Sequence, residues 1–295
     1  MTVKIVTYRA LEAGPTLAIL GAIHGNERCG AEAIERLVAE MDKGAVTLKR
    51  GTLQMIPISN PRAYEQGVRF VERNLNRFLF PKEDKQHYED YLDPIVCEVL
   101  DNADALLDLH SYTSPGGPFI FLGPPNSREV AYARSLGVPD FVYGWADAFG
   151  TKANADPMEA QGTTEYARAR GALAVTLECG QHLNADAPEI GYRGILRALA
   201  HFDMLDAKSV AALGPLPAGK ERCVKMKSVY PREAGAEFAR SWKHFDAVAK
   251  GEAMATFVDG RTLLAPEDGF IVLPKATAVP GEDWFFYGTG TTLPG

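Results

Sequence analysis

Apolar residues fall along this chain in two alternating kinds of run. Short aliphatic and β-branched runs occupy 3–8, 16–22, 53–58, 105–110, 119–122 and 172–177, and each predicts a strand. Between them, apolar residues return every three or four positions, as Ile34, Leu37, Val38 and Met41 do. This spacing predicts helices over 31–42, 88–100, 128–136 and 190–205. Strands alternating with helices imply an α/β fold, a β-sheet flanked by helices.

The pattern changes at Gly214-Pro215-Leu216-Pro217-Ala218-Gly219, a turn-rich stretch. Beyond it come short strand-like runs punctuated by Asp259-Gly260 and Asp268-Gly269. Two domains are therefore predicted, an α/β domain over 1–213 and a small β-rich domain over 220–295. Segments 248–252 and 264–272 are similar to half of a lipoyl-type barrel, but the turn that presents a modifiable lysine is missing, so the tail reads as a lid or wall. The loop Ser114-Pro115-Gly116-Gly117-Pro118 directly follows His110 and borders whatever that residue serves. No internal repeat is visible, and Lys82-Glu83-Asp84-Lys85 mixes both charges as a solvated loop does.

Composition narrows the classes of function. With 295 residues, 46% of them hydrophobic, the chain can bury a large core without staples. Its four cysteines, Cys29, Cys97, Cys179 and Cys223, form no CxxC pair, which argues against a disulfide framework and a thiolate zinc site. A net charge of -7 offers no general attraction for nucleic acid or an anionic membrane surface, so a small-molecule partner is expected. No apolar run approaches the roughly 20 residues that span a bilayer, and the start Met1-Thr2-Val3-Lys4-Ile5-Val6 lacks the features of a secretory leader. A cytoplasmic location is expected.

Three of the predicted strands end on residues that can do chemistry. His24-Gly25-Asn26-Glu27 stands where a buried strand stops and a helix is about to begin, so an imidazole and a carboxylate can converge on one ion. Alone the pair is weak evidence, because six histidines among 38 acidic residues meet an acid three positions on about once by chance, and His87 with Asp90 is such a pair. The second strand closes on Asp108-Leu109-His110-Ser111, where alternation puts Asp108 and His110 on one face and lets Asp108 orient the imidazole. Two histidines and one carboxylate leave a fourth position open, the arrangement of a catalytic zinc. The third strand ends on Glu178-Cys179-Gly180. A carboxylate there is either a structural ion pair or the base that takes a proton from water and passes it to a leaving nitrogen.

Arg62, Arg69, Arg73 and Arg77 fall within sixteen residues. Without a metal nearby they would read as a solvated basic surface. Beside one, planar guanidinium forks can grip a substrate carboxylate and polarise a carbonyl.

Taken in order, HGNE, NPRA, RFVERNLNRF, DLHS and TLECG resemble the succinylglutamate desuccinylase and aspartoacylase family, a branch of the zinc carboxypeptidase fold. The resemblance runs from His24 to Gly180 and implies a mixed β-sheet with helices on its faces and a small C-terminal β domain. It implies one Zn2+ per chain on His24, Glu27 and His110, with Glu178 as catalytic base. It implies that Arg69 polarises the scissile carbonyl while Asn76 and Arg77 bind the substrate carboxylate. Asn74 departs from the family's Asp-Leu-Asn-Arg and removes a charge close to Arg77. The family also sets tail residues near the substrate, where Tyr287 is the candidate, a core tyrosine being the competing reading.

The resulting expectation is a zinc-dependent amidohydrolase that deacylates an N-acyl amino acid or related small carboxylate. A carboxypeptidase-like peptidase acting on a short peptide uses the same motifs and stays open. A non-catalytic zinc-binding module is disfavoured by Glu178 together with a full ligand set, and a cysteine hydrolase built on Cys179 has nothing to activate its thiol. A homo-oligomer is left open.

Overall fold

The computed structural model of the chain describes residues 2–152, 156–217 and 219–294. Before the turn-rich junction lie β1 (Val6–Arg9), β2 (Glu12–Leu20), β3 (Arg50–Ile56), β4 (Ala105–Tyr112), β5 (Phe119–Phe121), β6 (Asp140–Tyr143) and β7 (Leu173–Gln181). After it come β8 (Arg222–Pro231), β9 (Glu237–Phe238), β10 (Asp246–Val248), β11 (Ala253–Thr256), β12 (Thr262–Leu264), β13 (Gly269–Val272) and β14 (Asp283–Thr291). Among the described residues, eleven strands make one sheet in the order β1-β3-β2-β4-β7-β5-β6-β8-β14-β13-β10, and β12-β11-β9 make a smaller one. The sheet is mixed: β3, β2, β4 and β7 run parallel, and β5 runs antiparallel to β7.

The helices are α1 (Cys29–Asp42), α2 (Pro61–Gln66), α3 (Asp93–Asp101), α4 (Ser127–Ser135), α5 (Trp145–Phe149), α6 (Thr163–Ala169), α7 (Ala187–His201) and α8 (Ala207–Ala212). Parallel strands covered on both faces read as continuous apolar runs, and all eight residues of β4 are buried. One face, with Leu107, Leu109, Val175 and Leu177, packs on α1 and α7. The other, with Leu106 and Ala174, packs on α3 and α6. By period two, Asp108, His110 and Glu178 share the α3–α6 face, whereas Cys179 joins the core under α7. All four cysteines are buried and free.

Two local expectations change. The helix predicted over 88–100 is a 3₁₀ turn, Tyr88–Tyr91, followed by α3, because Pro94 has no N–H to donate to the carbonyl of Asp90. β7 does not stop before Glu178 but carries it inside the strand, paired with His110 of β4 on one side and Phe119 of β5 on the other. The junction between 213 and 220 lies in the link from α8 to β8, and hydrogen bonding crosses it, since β8 pairs in parallel with β6 and antiparallel with β14. The tail also holds a core of its own around Trp242, Met254, Ile271 and Trp284.

Candidate metal centre and its cavity

After β2 the chain passes through Ala22 in a left-handed conformation, φ 45°, and into His24-Gly25-Asn26-Glu27 before α1 begins. Gly25 N–H donates to Arg69 O at 3.1 Å. A Cβ on Gly25 would lie 2.0 Å from the carbonyl carbon of Ala63 and 2.2 Å from Tyr64 N, so this loop packs backbone to backbone on α2. Asn60 caps α2 by accepting from Ala63 N–H. The packing brings buried His24 and Glu27 to buried His110 at the C-terminal end of β4.

Ligand atoms of His24, Glu27 and His110 lie within 4.8 Å of one another. His24 Nε2 is 3.0 Å from Asn74 Oδ1, an acceptor, so this nitrogen carries the proton and Nδ1 presents a bare lone pair with no hydrogen-bond partner. His110 differs: its Nε2 lies 2.8 Å from Asp108 Oδ2 without hydrogen-bond geometry, and its Nδ1 is hydrogen-bonded to Glu27 Oε2. Both Nδ1 atoms then face the Glu27 carboxylate, at 2.9 Å for His24 and 2.8 Å for His110. Lone pair against carboxylate is repulsive unless a proton or a metal ion stands between them, so the donor set fits a divalent cation such as zinc.

The electrostatics agree. Burial, aided by Arg69, draws His24 down to about 4, which leaves it neutral and able to ligate. Burial alone would raise the Glu27 carboxyl, but the two imidazoles hold it well below its usual range. For His110 burial works downward, and Asp108 and Glu27 overcome it, holding the ring well above its usual value. A metal must displace that proton, so its binding weakens as pH falls.

Glu178 stands beside His110 by strand register, and its Oε2 is buried without a partner. Burial pushes its carboxyl up to about 8, against the pull of His110. Arg69 Nη1 donates to Glu27 Oε1 at 2.7 Å while the side chain stays 39% exposed, which leaves other guanidinium donors facing the cavity. That cavity, of about 620 Å³, is lined by all of these residues and walled by the tail through Leu273, Lys275, Glu282, Asp283 and Phe286.

Asn76 and Arg77 line the same cavity. Asn76 Oδ1 accepts from Thr163 N–H at the start of α6, which pins the amide and leaves its NH₂ as donor. The Arg77 guanidinium lies 4.6 Å over the Trp145 ring and 5.0 Å over Phe149, and burial lowers it only to about 10, so it remains charged at neutral pH. Tyr287 is elsewhere: it is buried in the tail core and donates to Glu267 O at 2.9 Å. Its neighbour Phe286, with Asp283 at the start of β14, reaches the cavity instead. Among the cavity residues not singled out in the sequence are Trp145, Phe121 and His182. His182 Nδ1 lies 2.8 Å from Ser111 Oγ, just past the end of β7, where strand alternation gives no signal.

Residues 13–202 match the family model described as the succinylglutamate desuccinylase/aspartoacylase catalytic domain. The chain belongs to this family. A probable aspartoacylase from Nostoc sp. is 35% identical over 118 residues, 36% of this chain and 38% of that protein. A succinylglutamate desuccinylase from Pseudomonas paraeruginosa is 35% identical over 76 residues, 26% of this chain and 22% of that protein. The chain thus spans about two fifths or less of the length of these curated relatives. Among solved structures, a succinylglutamate desuccinylase/aspartoacylase from Rhodobacter sphaeroides superposes with a TM-score of 0.74 at 21% identity, covering 99% of this chain and 90% of that one. The product-bound ectoine utilization protein EutE (DoeB) from Ruegeria pomeroyi does so with 0.72 at 22%, covering 97% and 88%. At such identities the superpositions establish the shared fold. For a member of this family the departure at Asn74 has a definite place: its side chain meets the imidazole of His24, not the Arg77 fork.

Proposed function

We propose that the chain is a zinc-dependent amidohydrolase that deacylates an N-acyl amino acid or a related small carboxylate. The observation that carries this reading is the pairing of Glu178, buried and without a partner, with His110 of a two-histidine, one-carboxylate cluster. Zinc on His24, Glu27 and His110 would supply a Lewis acid that acidifies water and polarises the acyl carbonyl. Glu178, set beside His110 with its Oε2 free, is placed to take a proton from the attacking water and hand it to the departing nitrogen. Arg69 shares the developing negative charge on the carbonyl oxygen. Asn76 and Arg77 hold the substrate carboxylate, with residues of the tail lining the cavity around them.

The same walls favour deacylation over peptide trimming, because tail residues between 273 and 286 line one side of a cavity of about 620 Å³, a size that suits a small molecule. On this reading the β-rich part beyond 220 is a fixed wall of the site. No helix of the described residues is long and apolar enough to cross a membrane. Zinc-loaded and chelator-stripped protein assayed on N-acetyl and N-succinyl amino acids and on short peptides is the test. Release of free amino acid by the loaded form alone is expected, and peptide cleavage without deacylation would defeat the proposal.

A further inference from the structure

The cations around the cavity decide which carboxylates can be bound there. Lys152 Nζ is already held by Glu159 and Asp283, both at 2.7 Å. Arg168 bridges Glu129 and Glu165, each at 3.0 Å. Lys275 pairs with Glu282 at 2.6 Å, and Arg69 with Glu27 at 2.7 Å. Among the described residues lining the cavity, that leaves Arg77, whose nearest carboxylate oxygen, on Asp283, is 4.0 Å away and beyond hydrogen-bond reach. Arg77 is therefore the lining cation with no carboxylate within hydrogen-bond reach, while Arg69, paired with Glu27 through one nitrogen, keeps its remaining donors for the scissile carbonyl.

Arg77 is also the cation that lies among aromatic rings. Trp145, against which it stacks, has its ring centroid 5.4 Å from Phe121 and 5.3 Å from Phe286, and all three rings line the cavity. A carboxylate held by the fork of Arg77 sets the substituent on its neighbouring carbon against this wall. A second carboxylate there would be desolvated against rings, facing Glu159 and Asp283 with no free cation to meet it.

Resting on the deacylase reading, we propose that the substrate is an N-acyl amino acid with a single carboxylate, held through its α-carboxylate by Arg77, and with an aromatic or large aliphatic side chain packed on Phe121, Trp145 and Phe286. This differs from the acidic amino acids in the names of the curated relatives, N-succinylglutamate and the aspartate derivatives, which carry further carboxylates.

The experiment compares kcat/KM of the zinc-loaded enzyme for N-acetylphenylalanine, N-acetylleucine, N-acetylglycine, N-acetylaspartate and N-succinylglutamate. The expected result is a preference of about 10²-fold or more for the first two over the acidic pair, the scale on which a site discriminates against an uncompensated polar group. In Phe286→Ala the ratio of N-acetylphenylalanine to N-acetylglycine should fall by about 10-fold, the upper part of the cost of a lost apolar contact. The double variant Glu159→Gln with Asp283→Asn frees Lys152 and should narrow the discrimination against N-acetylaspartate. Deacylation that is equal or faster on the acidic substrates overturns this inference and leaves the deacylase reading standing. No deacylation of any of the five by zinc-loaded protein overturns both.

Discussion

Asn74→Asp is expected to tighten zinc binding by about tenfold. In the structure the amide Oδ1 accepts from His24 Nε2 at 3.0 Å, whereas on the other side of the centre a carboxylate, Asp108, stands 2.8 Å from His110 Nε2. The outer nitrogens of the two imidazoles thus face oxygens of different charge. A charged acceptor makes a hydrogen bond roughly twice as strong as a neutral one, a gain of about 1 kcal/mol here. It also raises the basicity of the ligating nitrogen, and changes to such outer partners typically alter metal affinity by about 10–100-fold. The new carboxylate would still accept from Asn76 N–H, now 2.9 Å from Asn74 Oδ1. Stripped protein is titrated with zinc against a chromophoric chelator at fixed pH, with circular dichroism to verify the fold. Asp108→Asn is the mirror control and should weaken binding by a similar factor. An unchanged or weaker zinc Kd in natively folded Asn74→Asp would refute the reasoning, and a shift confined to KM would return Asn74 to the substrate side.

Glu178→Gln should keep its fold and its zinc while turnover drops about 10²–10⁴-fold, the range for loss of a general base; metal analysis showing lost zinc would make Glu178 a ligand instead. Gly25→Ala drives a methyl into the backbone of α2 at 2.0 Å, so about 3 kcal/mol of stability and most of the bound zinc should be lost, and a denaturant midpoint close to wild type would show that the loop does not rest on α2. His244 should make the protein acid-sensitive. Burial, with Arg222 adding to it, depresses the ring from 6.5 to about 3. Above pH 6.5 neither state binds the proton; between there and about 3 only the unfolded state does, so stability falls as pH drops. The slope is at most about 1.4 kcal/mol per pH unit. His244→Gln should flatten it, and identical acid unfolding curves for the two proteins would remove His244 as the cause.

The alternation and periodicity of apolar residues are local properties, and what depended on them was legible from the chain alone. The α/β alternation reached the mixed sheet, with strand starts and stops displaced by a few residues. The centre was legible for the same reason. His24 and His110 stand at the C-terminal ends of parallel strands, and Glu178 is one register step from His110, so naming the strands nearly names the site. Tyr287 was not separable from Phe286 in this way, because β14 is buried on both faces around Phe285, Phe286 and Tyr287 and its alternation carries no sign.

The sequence by itself therefore determined the elements and brought forward the His24, Glu27 and His110 cluster with Glu178 beside it, since each follows from residue type and position within one strand or loop. Only the tertiary structure decided which acid neutralises which base. Lys152 with Asp283, Arg168 with Glu129 and His24 with Asn74 are separated by tens of residues or more along the chain, and no local pattern encodes such pairings. It likewise decided that β8 extends the sheet of the first 213 residues, placing the tail against the cavity. Ion pairing depends on distances of a few ångströms between side chains brought together by folding. The charge a substrate meets is set there, after the strands are in place.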